Sequence, residues 1–121
     1  MTPTIPEMPA LEIDAHFRST GWRPNADHLI ERQIVWALLH AMAATHPDRT
    51  LLVFDGEENV ACGDAQAAME VIFNLDTAWL RMGRDWVMLI MGNGIDIISD
   101  YGVNPATEAA VEAAMAACGI D

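Results

Sequence analysis

Apolar residues near the start of the chain alternate strictly with polar ones. Leu11, Ile13, Ala15 and Phe17 stand against Glu12, Asp14, His16 and Arg18, the period-two pattern of a half-buried strand. A short helix from Pro9 to a Gly21 cap is the competing reading. After Asn25 the spacing lengthens to the helical period. Leu29, Ile30, Ile34, Trp36, Leu38, Met42 and Ala43 form a stripe wide enough for a largely buried helix. Asn25 is its candidate N-cap, Asp27 and Glu31 complement its positive end, and Pro47 stops it.

Shorter elements follow. Leu51–Phe54 reads as a strand, Asp55-Gly56 as a hairpin turn, and Glu58–Cys62 as the returning strand. Gly63 breaks the run, and Asp64 caps a helix from Ala65 to about Asn74 with Ala68, Met69, Ile72 and Phe73 inward. Thr77–Met82 is a strand with Trp79 and Arg81 on one face and Leu80 and Met82 on the other. Two apolar runs then flank Asn93-Gly94, a pair that tolerates the positive φ of a type I′ turn. That turn sets Met91 opposite Asp96, Ile90 opposite Ile97, Leu89 opposite Ile98, Met88 opposite Ser99, and Trp86 opposite Tyr101. The first of these strands is apolar on both faces and is expected to be central or covered on both sides. Asn104-Pro105 opens a last, Ala-rich helix with Val111, Ala114, Met115 and Cys118 at helical spacing, and Gly119 ends it.

The order (β)-α-ββ-α-βββ-α predicts an α+β fold: a mainly antiparallel sheet of about five strands, with two or three helices on one face. Residues 1–24, with Pro3, Pro6 and Pro9, read as an N-terminal leader or arm, and residues 25–121 as a single domain.

Composition narrows the class. The chain is 52% hydrophobic and 20% charged, which is globular, and no apolar run reaches the length of a membrane span. Two cysteines, Cys62 and Cys118, make no disulfide framework, so a cytoplasmic setting is expected. Eighteen acids against six bases leave a net charge of −12, and every base is Arg. Such a field disfavours direct contact with nucleic acid and favours docking on a basic protein, including one that itself binds nucleic acid.

The Asp55-Gly56-Glu57-Glu58 turn and the stretch Trp86–Tyr101 resemble a group of small uncharacterised proteins of bacterial, plasmid and phage origin. That group carries an Asp-Gly-Glu-Glu turn and a Trp-Val-x-Leu-x-x-Gly-Asn-Gly-x-Asp-(Val/Ile)-Ile-Ser-Asp-Tyr hairpin. The resemblance covers roughly the central half of the chain. The group often has Gly before the Trp, where Asp85 stands here. What the resemblance implies is a fold and a mobile-element origin, with no reaction attached.

Sites for chemistry are sparse. Asp55, Glu57 and Glu58, with Asp64 nearby, lack the Asp-x-Asp-x-Asp-Gly frame and distal Glu of a calcium loop. They read as a solvated turn or as a contact patch. Asp96 and Asp100, placed on one strand face, would lie roughly 13 Å apart, too far to share an ion or to act as a glycosidase pair. His16, His28, His40 and His46 are scattered, and position 32, where a zinc helix would repeat His28, is Arg. Ser19 and Ser99 lie outside any nucleophile elbow, and Ser99 is expected beside Met88. Cys62 precedes a helix start that would lower its pKa, against the nearby acids that raise it, and a Cys62–His46 pair would need tertiary folding. Gly92-Asn93-Gly94 lacks the Lys and helix of a phosphate loop. Trp22, in a Pro/Gly-flanked loop, is a candidate interface anchor.

The reading that follows is a non-enzymatic acidic interaction protein, expected as a homodimer, with no metal, cofactor or membrane. Its acidic patch comprises Asp55, Glu57, Glu58, Asp64, Asp96 and Asp100. A phage- or plasmid-borne inhibitor or nucleic-acid mimic is its sharpest form. The alternatives are a small enzyme or ligand-binding domain with a pocket near Cys62, and an assembly subunit using the last helix.

Overall fold

The computed structural model describes residues 7–12, 26–45, 50–102 and 105–119. In order they form α1 (Ala26–Thr45), β1 (Leu51–Phe54), β2 (Asn59–Cys62), α2 (Ala65–Ile72), β3 (Thr77–Met82), β4 (Asp85–Ile90), a 3-10 turn at Gly94–Asp96, β5 (Ile98–Tyr101) and α3 (Pro105–Ala117). The fold is α+β, in the expected order from α1 onward. Beyond Leu11 and Glu12, the choice between strand and helix before α1 lies outside the described residues, as do the Asn25 cap, Pro47 and Trp22.

The strands form one antiparallel sheet in the order β2-β1-β3-β4-β5. Alternation along β1, β3 and β4 sends Val53, Ala78, Leu80, Met82, Val87 and Leu89 to one face, where each is fully or almost fully buried. All three of these described helices lie on that side. Helix α1 packs chiefly on α3, and also on α2 and the 3-10 turn, while α2 reaches β1 and β2 and α3 reaches β4. Ile34, Val35, Trp36, Ala37, Leu38 and Leu39 are therefore buried all round the helix rather than along one stripe. Its two ends depart from the expectation. Leu29 and Ile30 are 49% and 37% exposed, and Ala43 is exposed, because no described element covers those positions.

The N-cap expected at Asp64 is seen directly. Asp64 accepts a 2.8 Å hydrogen bond from the Ala67 amide at the start of α2. That helix stops at Ile72, sooner than the pattern suggested, with Phe73 as its C-cap. Arg32 stacks its guanidinium 4.7 Å over the Phe73 ring. In α3, Thr107, Ala110, Val111 and Ala114 form the buried face, so the small side chains serve close packing within the chain.

The β4–β5 connection is the main correction. Asn93 has φ −98° rather than the positive value a type I′ turn requires, and Gly92 (+98°) and Gly94 (+62°) take the left-handed positions instead. The loop continues as a 3-10 turn, so Asp96 is not on a strand and shares no strand face with Asp100. Leu89 pairs with Ile98 as expected, but Met88 pairs with Asp100. Ser99 is thus an extra residue in a bulge, exposed and not set beside Met88. One inserted residue shifts everything after it. Tyr101 faces Val87, and Trp86 faces Gly102, whose amide donates to the Trp86 carbonyl at 3.0 Å. The expected Trp86–Tyr101 ring pair does not form, because the two side chains are on opposite faces of the sheet.

Candidate functional site

The second face of the sheet carries no described helix. Antiparallel pairing lines up Asn59, Phe54, Trp79, Met88 and Asp100 as one cross-strand row, and Ala61, Leu52, Arg81 and Trp86 as the next. Ile90 and Thr77 stand opposite each other beyond the first row. Each of Leu52, Phe54, Trp79, Trp86, Met88 and Ile90 is half-buried, shielded by neighbours in the row, and no described element lies above them. Strand β4 is therefore central, as its apolar character demanded, yet covered on one side only among the described elements.

The aromatic residues on this face form a shallow cavity of about 300 Å³ lined by Phe54, Trp79, Arg81 and Trp86. The Phe54 and Trp79 rings sit 5.4 Å apart with a 59° tilt, within the range of favourable aromatic pairs. Arg81 places its guanidinium carbon 5.8 Å from the Phe54 centroid, with one nitrogen 3.5 Å from the Asn59 side-chain oxygen. Trp86 lies over Gly102 so closely that a Cβ there would come within 2.9 Å of its indole nitrogen. Glycine at position 102 is what lets the indole lie flat on the strand.

Carboxylates stand near both ends of the first row: Asp100 ends it on β5, and the Asp55–Glu58 turn adjoins its Asn59–Phe54 end. On the β1–β2 side, Asp55 folds its own turn: its Oδ1 accepts from the amides of Glu57 (2.8 Å) and Glu58 (2.9 Å). Those two bonds hold the Asp55 carboxyl below the usual carboxylate range. Gly56 at φ +103° completes the turn, and Glu57 and Glu58 project exposed. On the β5 side, Asp100 ends the row, exposed. Asp96 is exposed in the β4–β5 loop at the same end of the sheet as the Asp55 turn, but beyond the opposite edge. Asp64 is separate. It caps α2 beyond the far end of β2, so the six acids of the expected patch fall in three places: the β1–β2 turn, the β5 side, and the start of α2.

A second concavity, of about 410 Å³, lies where the last turns of α1, the start of α2 and the adjoining strand ends meet. Cys62 lines it beside His40, Thr50 and Asp64. The Cys62 thiol reaches its own strand's Val60 carbonyl at 3.6 Å. Burial, reinforced by the Asp64 charge, pushes its pKa up rather than down, so the thiol stays protonated at neutral pH. The histidine nearby is His40, while His46 lies outside the described residues. Among the described residues, no three His, Cys, Asp or Glu side chains come together as a metal site, and no helix is long and apolar enough to cross a membrane.

Sequence reasoning missed two residues that matter here. Glu31 is 2% exposed, and its Oε1 accepts from the amides of Gly92 and Gly94, both at 2.8 Å. It holds the β4–β5 loop from α1 rather than complementing the helix end. Nothing local marks that role, since the partners are some sixty residues apart. The pattern reads Trp86 as the partner of Tyr101; its pairing with Arg81 sets it beside Trp79 and Phe54, and the bulge brings Gly102 rather than Tyr101 opposite it. Compared with protein-family models, curated proteins and solved structures, the chain matches none.

Proposed function

We propose that this is a non-enzymatic binding protein that docks a basic protein partner on its open sheet face. The observation that carries the reading is the row Phe54–Trp79–Met88, with Trp86 and Leu52 beside it, presented on a face without a described covering element, ended by Asp100 on one side and adjoined by the Asp55–Glu58 turn on the other. Half-buried aromatic rings on a rigid sheet make good interface anchors, since they offer area at little cost in side-chain entropy. The Asp55–Glu58 turn and Asp100 would form the polar rim, and the −12 charge would draw a basic surface in and orient it. A partner that itself binds nucleic acid fits this chemistry, and an inhibitor of phage or plasmid origin is the form that agrees with the sequence resemblance. The protonated Cys62 thiol supports a binder over a thiol enzyme.

Affinity capture from the source cell, comparing wild type with two variants, tests the proposal. Trp79→Ser removes an anchor and should weaken binding by about 2 kcal/mol, roughly thirtyfold in Kd. Asp55→Asn/Glu57→Gln/Glu58→Gln keeps the acceptor that folds the turn while removing charge, and should reduce both affinity and its salt dependence. A basic partner lost with Trp79→Ser and weakened by the neutral turn is the expected result. A partner held equally by all three proteins would overturn the reading.

A further inference from the structure

We propose that the partner segment docking on the open face carries a carboxylate that pairs with Arg81, set between basic residues that meet the acids at either end of the row. The proposal rests on the open-face reading and names the chemistry which that face selects. Arg81 stands on β3, the middle strand of the five, in the row next to that of Phe54 and Trp79. It is exposed, and it lines the aromatic cavity with Phe54, Trp79 and Trp86. Its guanidinium leans toward β1 and β2, over the Phe54 ring at 5.8 Å and 3.5 Å from the Asn59 side-chain oxygen. No carboxylate is among those described contacts.

A partner that covers Phe54 and Trp79 also takes Arg81 out of water. A guanidinium enclosed against aromatic rings without a counter-charge is costly, and it repels a uniformly basic surface. A carboxylate removes both penalties, because its two oxygens match the guanidinium fork and carry the opposite charge. The face therefore reads negative, positive, negative from the Asp55–Glu58 turn through Arg81 to Asp100, and its complement reads basic, acidic, basic.

The sheet also sets the spacing. From Asn59 on β2 to Asp100 on β5 the first row spans about 19 Å, at roughly 4.8 Å between strands. An extended segment laid along it covers about 20 Å in roughly six residue steps, with alternate side chains facing the sheet. Read from the Asp55 turn, its first, third, fifth and seventh side chains meet the acidic turn, the Arg81 guanidinium, the Trp79–Met88 stretch and Asp100. The selected pattern is basic-x-acidic-x-apolar-x-basic.

The test titrates the isotopically labelled full chain with the peptide acetyl-Arg-Ser-Glu-Ser-Leu-Ser-Arg-amide and with its versions carrying Gln or Lys in place of Glu. Binding is read from the indole N–H resonances of Trp79 and Trp86. The net charge of −12 by itself would rank the peptides Lys, then Gln, then Glu, so the opposite order isolates Arg81. Wild type should bind the Glu peptide roughly five- to tenfold more tightly than the Gln peptide, and the Lys peptide most weakly. Arg81→Gln, at an exposed position that leaves the core untouched, should remove the preference for Glu, and Arg81→Glu should favour Lys. A wild-type order that follows net charge, or an Arg81→Gln protein that keeps the Glu preference, overturns the proposal and leaves the open face as a docking site. Indole resonances unmoved by all three peptides overturn it as well, while docking itself stands or falls on the partner captured by wild type and lost with Trp79→Ser.

Discussion

At the residue scale, Glu31 ties two distant parts of the chain together. One carboxylate oxygen receives two loop amides at 2.8 Å, charge-assisted bonds that fix the Gly92-Asn93-Gly94 segment against α1. Glu31→Ala should cost about 2–3 kcal/mol in urea unfolding, whereas Glu31→Gln, which keeps an acceptor, should cost about 1 kcal/mol. If Glu31→Ala unfolds within ~0.5 kcal/mol of wild type, the loop is held by other contacts. His40 gives a pH signature of definite sign. Burial depresses its folded-state pKa below the ordinary value, so the folded protein binds a proton less readily than the unfolded chain. Its contribution is therefore present above the unfolded pKa, about 6.5, and is lost as pH falls through the folded value. Cys62 and Asp64 line the same cavity, and the Cys62 thiol, its pKa pushed up by burial and by the Asp64 charge, keeps its proton throughout that window. Comparing urea midpoints at pH 7.5 and 5.5 for wild type and His40→Phe isolates this term from the other histidines. The wild type should lose more stability on acidification than the variant.

At the scale of elements, local pattern and observed structure agree wherever neighbours in sequence settle the geometry. Asp64 caps α2 and the Asp55-Gly56 turn joins β1 to β2, because side chain and partner amide lie within three residues of each other. The β4–β5 pairing shows where that logic ends. Asn93-Gly94 carries the local preference for a two-residue turn, but the Glu31 carboxylate collects the Gly92 and Gly94 amides, and a longer loop with a bulge results. Tertiary hydrogen bonds outweigh a turn preference. The bulge in turn sets Trp86 over Gly102, and that contact makes a sharp prediction. Gly102→Ala places a methyl group against the indole and should destabilise by about 1–2 kcal/mol, with a change in tryptophan emission as the ring is displaced. Unchanged emission and stability would mean that the indole is free to move aside.

At the scale of the whole molecule, the helices all serve one face of the sheet, and the uneven partition of apolar residues gives the protein its candidate interface. Among the described residues, the inner side chains of β1, β3 and β4 are buried under helices, and the outer ones are half-buried against one another. Charge also acts at this scale. A net charge of −12 on 121 residues repels itself in the compact state more than in the unfolded one. Raising sodium chloride from about 0.05 M to 0.5 M shortens the screening length severalfold and should raise the urea midpoint. A midpoint indifferent to salt would show that the charges are too widely spaced to interact.

The sequence alone determined the order of elements from α1 onward, the antiparallel α+β class, the Asp64 cap, the Asp55-Gly56 turn, the inward placing of Ala68, Met69 and Ile72 in α2, and the acidic character. Those properties depend on periodicity, on contacts within a few residues and on summed charge, all of which are written along the chain. The partners of Glu31, the placing of Gly102 rather than Tyr101 opposite Trp86, the meeting of Cys62 with His40 at one cavity, and the scattering of the six acids were settled by folding. Each depends on residues far apart in sequence, and a single bulged residue is enough to turn a side chain from one face of a sheet to the other.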